Sequence, residues 1–504
     1  MSLKKLFPPA ALLAVSALLS RALGLLRDHL LAKTFGATLG TGLFDLDVYY
    51  AAFRVPDLIY NLLVLGTISA AFIPLFTQYK KDGALADAWK FASSMLHLML
   101  VGVGILAGVL YLLAPWLAPL IAGGFSADQL ELTVQLMRIM LLSPMLFAIA
   151  SVLISIQDSF KTFFFRSLAP LFYNVGIIAG VLYWSPENGV IGVTWGVVLG
   201  AALQLIVQLP ALFQVRYRHY WMLGANRSDV RKAFKLMGPR VVGLSLNQLM
   251  LIVNTAIASF LATGSITVFY LADNLQALPL GMIGLSLAIT SFATLAELAA
   301  EPTPKAFAAE IRRVMNQILF LILPATVGLW VLRYEVIWFL LGHGKFTESD
   351  VALTGQVLGL LLISLFAQSL IPLLARGFYA YHDTKTPVLS AALGALVSIT
   401  ASLFLVFAFD WGVEGIALGF TLGTILNFKL LLRFLERLTG ETLLSLQKTL
   451  KTLILSILMG LVVWILKENL PMSGSVTTQT LILLAYLATG MGVYFGGYRL
   501  LSRT

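Results

Sequence analysis

The chain has no cysteine and few charged residues. Because none of its 504 residues is cysteine, disulfides, thiol catalysis and thiolate metal sites are excluded. Its five histidines, which lack the spacing of metal ligands, are His29, His97, His219, His343 and His382. Only 12% of the residues are charged, whereas soluble domains average about 25%. With 59% apolar residues and a mean hydropathy of +0.90, the composition indicates an integral membrane protein.

Apolar stretches of roughly 20 or more residues recur along the whole chain, which is the length that a membrane helix needs. Helices are expected because lipid offers no hydrogen-bond partner to exposed backbone groups. A hydropathy window of about 19 residues predicts an all-α protein with fourteen spans. They cover 9–34, 46–78, 88–120, 129–157, 164–184, 189–214, 230–262, 266–299, 306–332, 351–380, 386–409, 412–435, 446–467 and 475–500. The first stretch has no small-residue cleavage site and is therefore interpreted as a span.

Basic residues are divided unevenly between alternate connections. One set of connections holds 25 of the 34 basic residues. The other set holds four, Lys33, Arg333, Lys345 and Lys467. The positive-inside rule then predicts that both termini are cytoplasmic. The net charge of +10 is explained by this topology, so nucleic acid is not a predicted partner.

Charged side chains also lie inside the spans, on single helix faces. The five basic residues at these positions are Arg21, Arg27, Arg54, Arg138 and Arg240. At 100° per residue, one face of the first span, about 120° wide, carries Ser20, Arg21, Gly24, Arg27 and Asp28. A face of the second span, about 80° wide, carries Asp47, Tyr50, Arg54, Asp57 and Asn61, although Pro56 bends that geometry.

These two polar stripes predict a cavity for an anion. An arginine at the centre of a span costs about 3 kcal/mol, so such residues usually face a bundle interior or an aqueous cavity. Guanidinium groups match phosphate oxygens bidentately, which favours a phosphate-bearing amphiphile. The alternative is that Arg21 and Arg27 snorkel, or pair with Asp28 and Asp47 as structural ion pairs.

A shift of 220 residues aligns the second span with the eighth. Seven of 28 positions are then identical, including Val48 with Val268 and Tyr50 with Tyr270. An offset of six spans predicts parallel six-helix halves with a substrate site between them. The predicted domains are therefore an N-lobe at 1–220, a C-lobe at 221–440 and a C-terminal helix pair at 441–504.

Several stretches resemble the MurJ (MviN) family of lipid II flippases, in the right order over about residues 5–435. They are SRALGLLRDHLLAKTFG from residue 20, DVYYAAFRVPDLI from 47, ISAAFIPLFTQYK from 68, LIVNTAIASFLATGSITVFYLADNL at 251–275, GHGKFTESD at 342–350 and ARGFYAYHDTKTPV at 375–388. The resemblance implies the fold of the multidrug/oligosaccharidyl-lipid/polysaccharide exporter superfamily, with two six-helix lobes and two extra helices that form a groove for the lipid tail. It implies transport of undecaprenyl-pyrophosphate-linked disaccharide-pentapeptide to the outer leaflet of the bacterial inner membrane by alternating access. It also implies other cell-wall synthesis proteins as partners.

The resemblance also implies roles for individual residues. Arg21 and Arg27 match arginines that contact the pyrophosphate, Asp28 and Asp47 match functional acids, and Arg54 matches a commonly basic position. The remaining predicted substrate contacts are Ser20, Asp57, Asn61, Asp273 and Asn274. The chain departs from the family at Tyr60 and Asn274, where relatives have arginine, and at Leu65, where they have an acid.

No cofactor is predicted. Some relatives bind sodium through carboxylates of the seventh and eleventh spans, but residues 386–409 contain no acid, so a sodium site is not expected here. The expected driving force is the membrane potential. An inside-negative potential favours outward movement of an anion by about 2.3 kcal/mol per charge per 100 mV.

Other function classes remain open from the sequence. The missing arginines at Tyr60 and Asn274 favour, as an alternative, a flippase for another polyprenyl-linked glycan or an ion-coupled exporter. A membrane-embedded enzyme needs positioned acids, histidines or metals. The best candidate is His343 near Lys345 and Glu348, which we interpret as part of an ordinary loop. A scaffold role leaves the polar stripes unexplained, so we predict a transporter and no enzyme.

Overall fold

The computed structural model describes residues 9–38, 42–64 and 67–501, which include helices at all fourteen predicted stretches. The helix ends lie within four residues of the predicted ends. At least nine helical segments among the described residues are long and apolar enough to cross a membrane. Leu65 and the side chain of Arg240 lie outside the described residues.

The chain divides into two compact units, Met1–Ile266 and Thr267–Thr504. Helices of the first unit are α1 (Pro9–Phe35), α2 (Leu46–Ile59), α3 (Thr67–Lys81), α4 (Leu85–Ile121), α5 (Ala127–Met140), α6 (Leu142–Ser159), α7 (Phe164–Ala179), α8 (Ser185–Ile206), α9 (Leu209–Gln214) and α10 (Ser228–Ala258). The first unit thus includes α10, which the sequence repeat assigns to the second half. The predicted lobe boundaries at residues 220 and 440 stay a prediction.

The remaining helices belong to the second unit, apart from the first two residues of α11. They are α11 (Ser265–Pro279), α12 (Ser286–Leu298), α13 (Lys305–Val331), α14 (Arg333–Leu341), α15 (Glu348–Leu362), α16 (Leu365–Ala380), α17 (Lys385–Ala408), α18 (Val413–Thr439), α19 (Leu446–Asn469) and α20 (Val476–Leu501). The axes of α15 and α16 meet at an angle of 43°, so this predicted span is bent at its centre.

Glycines bring α7 and α8 together as an antiparallel hairpin. A Cβ atom at Gly176 would lie 2.2 Å from the Gly200 Cα, and one at Gly180 would lie 2.7 Å from the Gly196 Cα. The chain reverses at Gly189, whose φ of 54° suits glycine. Small residues allow this backbone approach between membrane helices. The apolar segment Phe164–Gln214 is therefore made of two antiparallel helices.

A π-helical turn interrupts both the second and the eighth predicted span. The turn Tyr60–Val64 follows α2, and the turn Leu280–Leu285 follows α11. The two turns are separated by the same 220 residues that align the sequences. Such turns are rare and recur at functional sites. The aligned spans of the two units therefore share an irregular backbone feature.

Candidate substrate-binding site

The polar stripe of α1 is assembled around Asn174 of α7. The Nε and Nη2 atoms of Arg27 donate to Asp28 Oδ1 at 3.0 and 2.8 Å, and Arg27 Nη1 donates to Asn174 Oδ1 at 3.3 Å. The amide nitrogen of Asn174 donates to the backbone oxygen of Ser20 at 3.4 Å and to its hydroxyl at 3.5 Å. The predicted site residues Ser20, Arg27 and Asp28 therefore form one hydrogen-bonded group with a neighbouring helix.

Within this group the cation is the more accessible partner. The side chain of Arg27 is 16% exposed, whereas that of Asp28 is 4% exposed. Arg21, one turn and a half earlier on α1, is half-buried. The α1 stripe thus presents guanidinium surface, and the carboxylate lies behind it as an orienting partner.

Sequence reasoning did not identify Asn174 as a site residue. Its side chain is buried on α7 and also donates to the Pro170 carbonyl at 3.1 Å. A second contact joins the same helices, since the Ser16 hydroxyl donates to the Ser167 carbonyl. The available signal was an amide inside an apolar span, because a buried amide in a membrane helix needs hydrogen-bond partners.

Two buried acids at the start of α2 accept hydrogen bonds from the backbone. Asp45 Oδ1 accepts the Asp47 backbone N–H at 2.9 Å and caps the helix. Asp47 Oδ2 accepts the Gly264 N–H at 2.7 Å. Gly264 has a φ of +96°, and a Cβ atom there would lie 2.8 Å from the Ala37 carbonyl carbon. Asp47 therefore fixes the turn after α10 against the end of α1, and its predicted contact with substrate stays a prediction.

Further along α2, the charged stripe faces α10. Arg54 Nε donates to the Thr255 hydroxyl at 2.8 Å, and that hydroxyl donates to the Leu251 carbonyl at 2.9 Å. Asn61 Nδ2 donates to Asp57 Oδ1 at 2.8 Å, as expected for residues one helical turn apart. Asp57 also interacts electrostatically with Arg54. The structure thus brings Arg54, Asp57 and Asn61 together and adds Thr255 as a partner.

In the second unit, Asp273 begins a chain of polar side chains. Gln276 Nε2 donates to Asp273 Oδ1 at 2.9 Å. Gln368 Nε2 donates to Gln276 Oε1 and to the Ser364 hydroxyl, both at 3.1 Å. Asn274 is half-buried beside this network. The predicted substrate contacts of Asp273 and Asn274 stay predictions.

Tyr60, which stands where the resemblance implies an arginine, contributes to an aromatic cluster. Its ring centroid lies 4.7 Å from that of Phe147, and the Phe147 ring lies 5.4 Å from that of Tyr173. Aromatic surface therefore replaces a cation at this position of the first unit. Across the part of the chain that the structure describes, no group of three or more His, Cys, Asp or Glu side chains could hold a metal ion.

The fold, a bundle of membrane-spanning helices, is shared with solved membrane transporters. A solved inward-facing multidrug resistance transporter of the MATE family in the MOP superfamily is similar, with a TM-score of 0.70 and 14% identity over 83% of this chain and 94% of that chain. A solved lipid II flippase MurJ in an inward closed conformation is similar with a TM-score of 0.81 and 24% identity, covering 98% of this chain and 99% of that chain.

Sequence comparison identifies the family. The family model described as lipid II flippase MurJ matches residues 31–485. The probable lipid II flippase MurJ of Buchnera aphidicola is 31% identical over 471 residues, covering 91% of this chain and 89% of the relative. The lipid II flippase MurJ of Burkholderia cenocepacia is 31% identical over 437 residues, covering 84% and 82%. The chain belongs to the lipid II flippase MurJ family.

Family membership confirms the predicted class of protein. A member of this family is a transporter and not a catalytic enzyme. It is a multi-pass protein of the bacterial inner membrane. The resemblance read from the short stretches in the sequence is confirmed. The fold agrees with the superfamily that the resemblance implied.

Proposed function

We propose that this chain carries lipid II from the inner to the outer leaflet by alternating access. Family membership supports this function. The observation that carries the mechanism is Arg27, a guanidinium held on an apolar helix by Asp28 and Asn174 and still 16% exposed. A guanidinium in this setting binds a diphosphate through charge-assisted, bidentate hydrogen bonds.

The polar head of the lipid passes along the charged stripes while the polyprenyl tail stays in lipid. Arg21, Arg27 and Arg54 bind the pyrophosphate, and Asn174 orients Arg27. The other predicted substrate contacts are Ser20, Asp28, Asp47, Asp57, Asn61, Asp273 and Asn274. An inside-negative potential favours outward movement of the anion by about 2.3 kcal/mol per charge per 100 mV.

The proposed topology has fourteen membrane helices and cytoplasmic termini. The excess of basic residues in one set of connections supports this orientation. Two six-helix lobes carry the headgroup, and the pair α19 and α20 accommodates the lipid tail. Other cell-wall synthesis proteins are the proposed protein partners.

The test is lipid II translocation in proteoliposomes that contain the purified full chain. Arg27→Ala is expected to slow translocation about 10- to 150-fold, since a hydrogen bond to a charged group contributes about 1.5–3 kcal/mol. Arg138→Ala is the matched control, because Arg138 also lies in a membrane helix but stacks on Tyr111, 4.7 Å from its ring centroid. Translocation by Arg27→Ala at the wild-type rate, with the protein folded, would refute the mechanism.

A second candidate is a flippase for another polyprenyl-linked glycan, or an ion-coupled exporter. The aromatic cluster of Tyr60 and Phe147 favours it, because an aromatic ring stands at the position where the family resemblance implies a cation. Native mass spectrometry separates the candidates by comparing the binding of lipid II with that of undecaprenyl-phosphate sugars. Preferential binding of the monophosphate sugars would select the second candidate.

A further inference from the structure

A groove of about 800 Å³ lies on the surface of the first unit, between α4, α5 and α8. One wall consists of small residues of α4, and the facing wall consists of polar residues of α5. These residues are Gly104, Ala107 and Gly108 on α4, and Glu131, Gln135 and Arg138 on α5. Each set recurs every three or four residues and therefore follows one face of its helix. Charged residues on such a face of a membrane helix are rare and mark functional sites.

The charged groups of this groove have no partner of opposite charge in the chain. Arg138 Nε donates to the Tyr111 carbonyl at 3.2 Å, and the guanidinium lies 4.7 Å from the centroid of the Tyr111 ring. Among the described residues, no carboxylate lies within 4.0 Å of Arg138 and no basic group lies within 4.0 Å of Glu131. Gln135, between them on the same face, is exposed. The groove thus offers one negative charge, one amide and one positive charge to an occupant.

Arg138 lies too deep in the membrane to meet a phospholipid headgroup. In the proposed topology α5 begins at the outer surface, so Glu131 lies about 6 Å and Arg138 about 16 Å along the helix from that end. Half of a bilayer core is about 15 Å thick, which places Arg138 near the midplane. Its partner Tyr111 lies ten residues before the end of α4, at about the same depth, so the guanidinium does not snorkel to the surface. Because a phospholipid carries its charges at the membrane surface, it does not neutralise Arg138.

A second copy of the chain does not fit the groove either. Copies in one membrane share one orientation, so a symmetric pair brings residues of equal depth together. Arg138 would then face Arg138, and two concave surfaces would leave the groove unfilled. A helix 10 Å across, in contrast, occupies about 80 Å³ per ångström of length, so about two turns fill this groove. Two turns also separate Glu131 from Arg138.

We propose that this groove binds one transmembrane helix of another membrane protein. That helix presents small residues to Gly104 and Gly108, a basic residue to Glu131, and an acidic residue to Arg138 two turns deeper. Small residues let the backbones of membrane helices approach closely, and polar side chains form hydrogen bonds between them. Docking requires none of the side chains proposed to bind lipid II.

The test is binding of a synthetic transmembrane peptide to the purified full chain in lipid vesicles, measured by energy transfer between fluorescent labels. The peptide has a leucine-rich span with a Gly-x-x-x-Gly motif, a lysine near its outer end and a glutamate seven residues deeper. Gly108→Leu fills the groove and should weaken binding at least about tenfold. The matched control is Gly102→Leu, which should bind as the wild type does. Both glycines are exposed with no atom within 4 Å of an added Cβ, but only Gly108 lines the groove.

Charge reversal tests the role of Arg138 separately from packing. Arg138→Glu should weaken binding of the first peptide about tenfold. A second peptide, with lysine in place of the deep glutamate, should instead bind Arg138→Glu more tightly than the wild type. A purely structural role of Arg138 does not produce this exchange of preference. If the exchange does not occur, or if the wild type does not bind the first peptide, the proposal is wrong.

Other occupants of the groove give different results. Equal binding by Gly108→Leu and Gly102→Leu would place the peptide elsewhere. A phospholipid that co-purifies with the wild type and is lost from Gly108→Leu would assign the groove to lipid, and a dimer lost in the same way would assign it to a second copy. The groove variants should translocate lipid II at the wild-type rate as purified proteins. Arg27→Ala should lose translocation and retain peptide binding, which separates this proposal from the flippase function.

Discussion

Asp47→Ala is expected to open the end of the first unit where α1, α2 and α10 meet, which is the outer end in the proposed topology. The Asp47 carboxylate is 3% exposed and accepts the Gly264 N–H at 2.7 Å. Its removal leaves that N–H without this acceptor, at a cost of about 1.5–3 kcal/mol for a hydrogen bond to a charged group. The ratio of molecules in which this end is closed to molecules in which it is open should then fall about 10- to 150-fold.

A comparable contact at the opposite end of α10 supplies the matched control. Tyr79 Oη donates to Asp229 Oδ2 at 2.9 Å, and Arg227 Nη2 donates to the same oxygen at 2.7 Å. Although burial alone would raise the pKa of Asp229, the hydrogen bonds from Arg227 and Tyr79 hold it below its usual value. This carboxylate is therefore charged at neutral pH. Asp229→Ala should loosen the inner end and leave the outer end closed.

Distances between paired spin labels measure the two effects. Because the chain contains no cysteine, Asp128→Cys and Ala262→Cys introduce unique labelling sites at exposed positions of the outer end. The parent protein should give one short distance, and Asp47→Ala should add a longer one. If Asp47→Ala and Asp229→Ala give the parent distribution, or if both lengthen the outer distance equally, the reasoning is refuted.

Asn174→Ala should slow lipid II translocation about tenfold, because Arg27 loses the amide that orients it. Gly176→Val should lower membrane yield and thermal stability, since a Cβ atom there would lie 2.2 Å from the backbone of α8. Acidification should release the connection between α9 and α10, as measured by hydrogen exchange at pH 5 and 8. Burial and the nearby His97 lower the pKa of His219, so the contribution of His219 to docking is fully present above its ordinary pKa of 6.5 and is lost as the pH falls through the folded-state value.

Each of these predictions has a control in the same unit. Asn188→Ala removes an exposed amide and should keep the wild-type rate; an equal loss would contradict the role of Asn174. Gly102→Val should be tolerated, because no atom lies within 4 Å of a Cβ there. His219→Asn should abolish the pH dependence of exchange, and persistence of that dependence would assign it to another group.

The fold could be predicted because apolar length determines where membrane helices begin and end. All fourteen stretches contain helices, and helical periodicity placed Ser20, Arg27 and Asp28 on one face, as the structure has them. Contacts between segments that are far apart along the chain produce no periodic pattern in the sequence. Nothing in the local sequence around Asn174 indicates that its partner is Arg27, which lies 147 residues earlier.

Backbone contacts were equally inaccessible from the sequence. The repeat aligned the second and eighth spans, but the π-helical turns at Tyr60–Val64 and Leu280–Leu285 follow from local backbone geometry and have no compositional signature. Asp47 was predicted to contact substrate because it lies on the polar stripe of the second span and matches an acid of the family, and that contact stays a prediction. In the structure its carboxylate binds the N–H of Gly264, a group that every residue except proline carries.

The placement of α10 connects the charged stripe to the transport cycle. The repeat assigns this helix to the second half, yet Asp47 and Asp229 tie its two ends to the first unit, and Arg54 contacts Thr255 between them. A ligand shifts a conformational equilibrium only by binding one state better than the other. A diphosphate bound side-on through Nε and Nη2 of Arg54 would compete with the Thr255 hydroxyl for Nε, so headgroup binding would weaken this contact in the last turn of α10. We therefore expect Thr255→Val to mimic this step and to lengthen the outer spin-label distances in the absence of substrate. Unchanged distances would show that the contact of Arg54 with Thr255 does not control opening of the outer end.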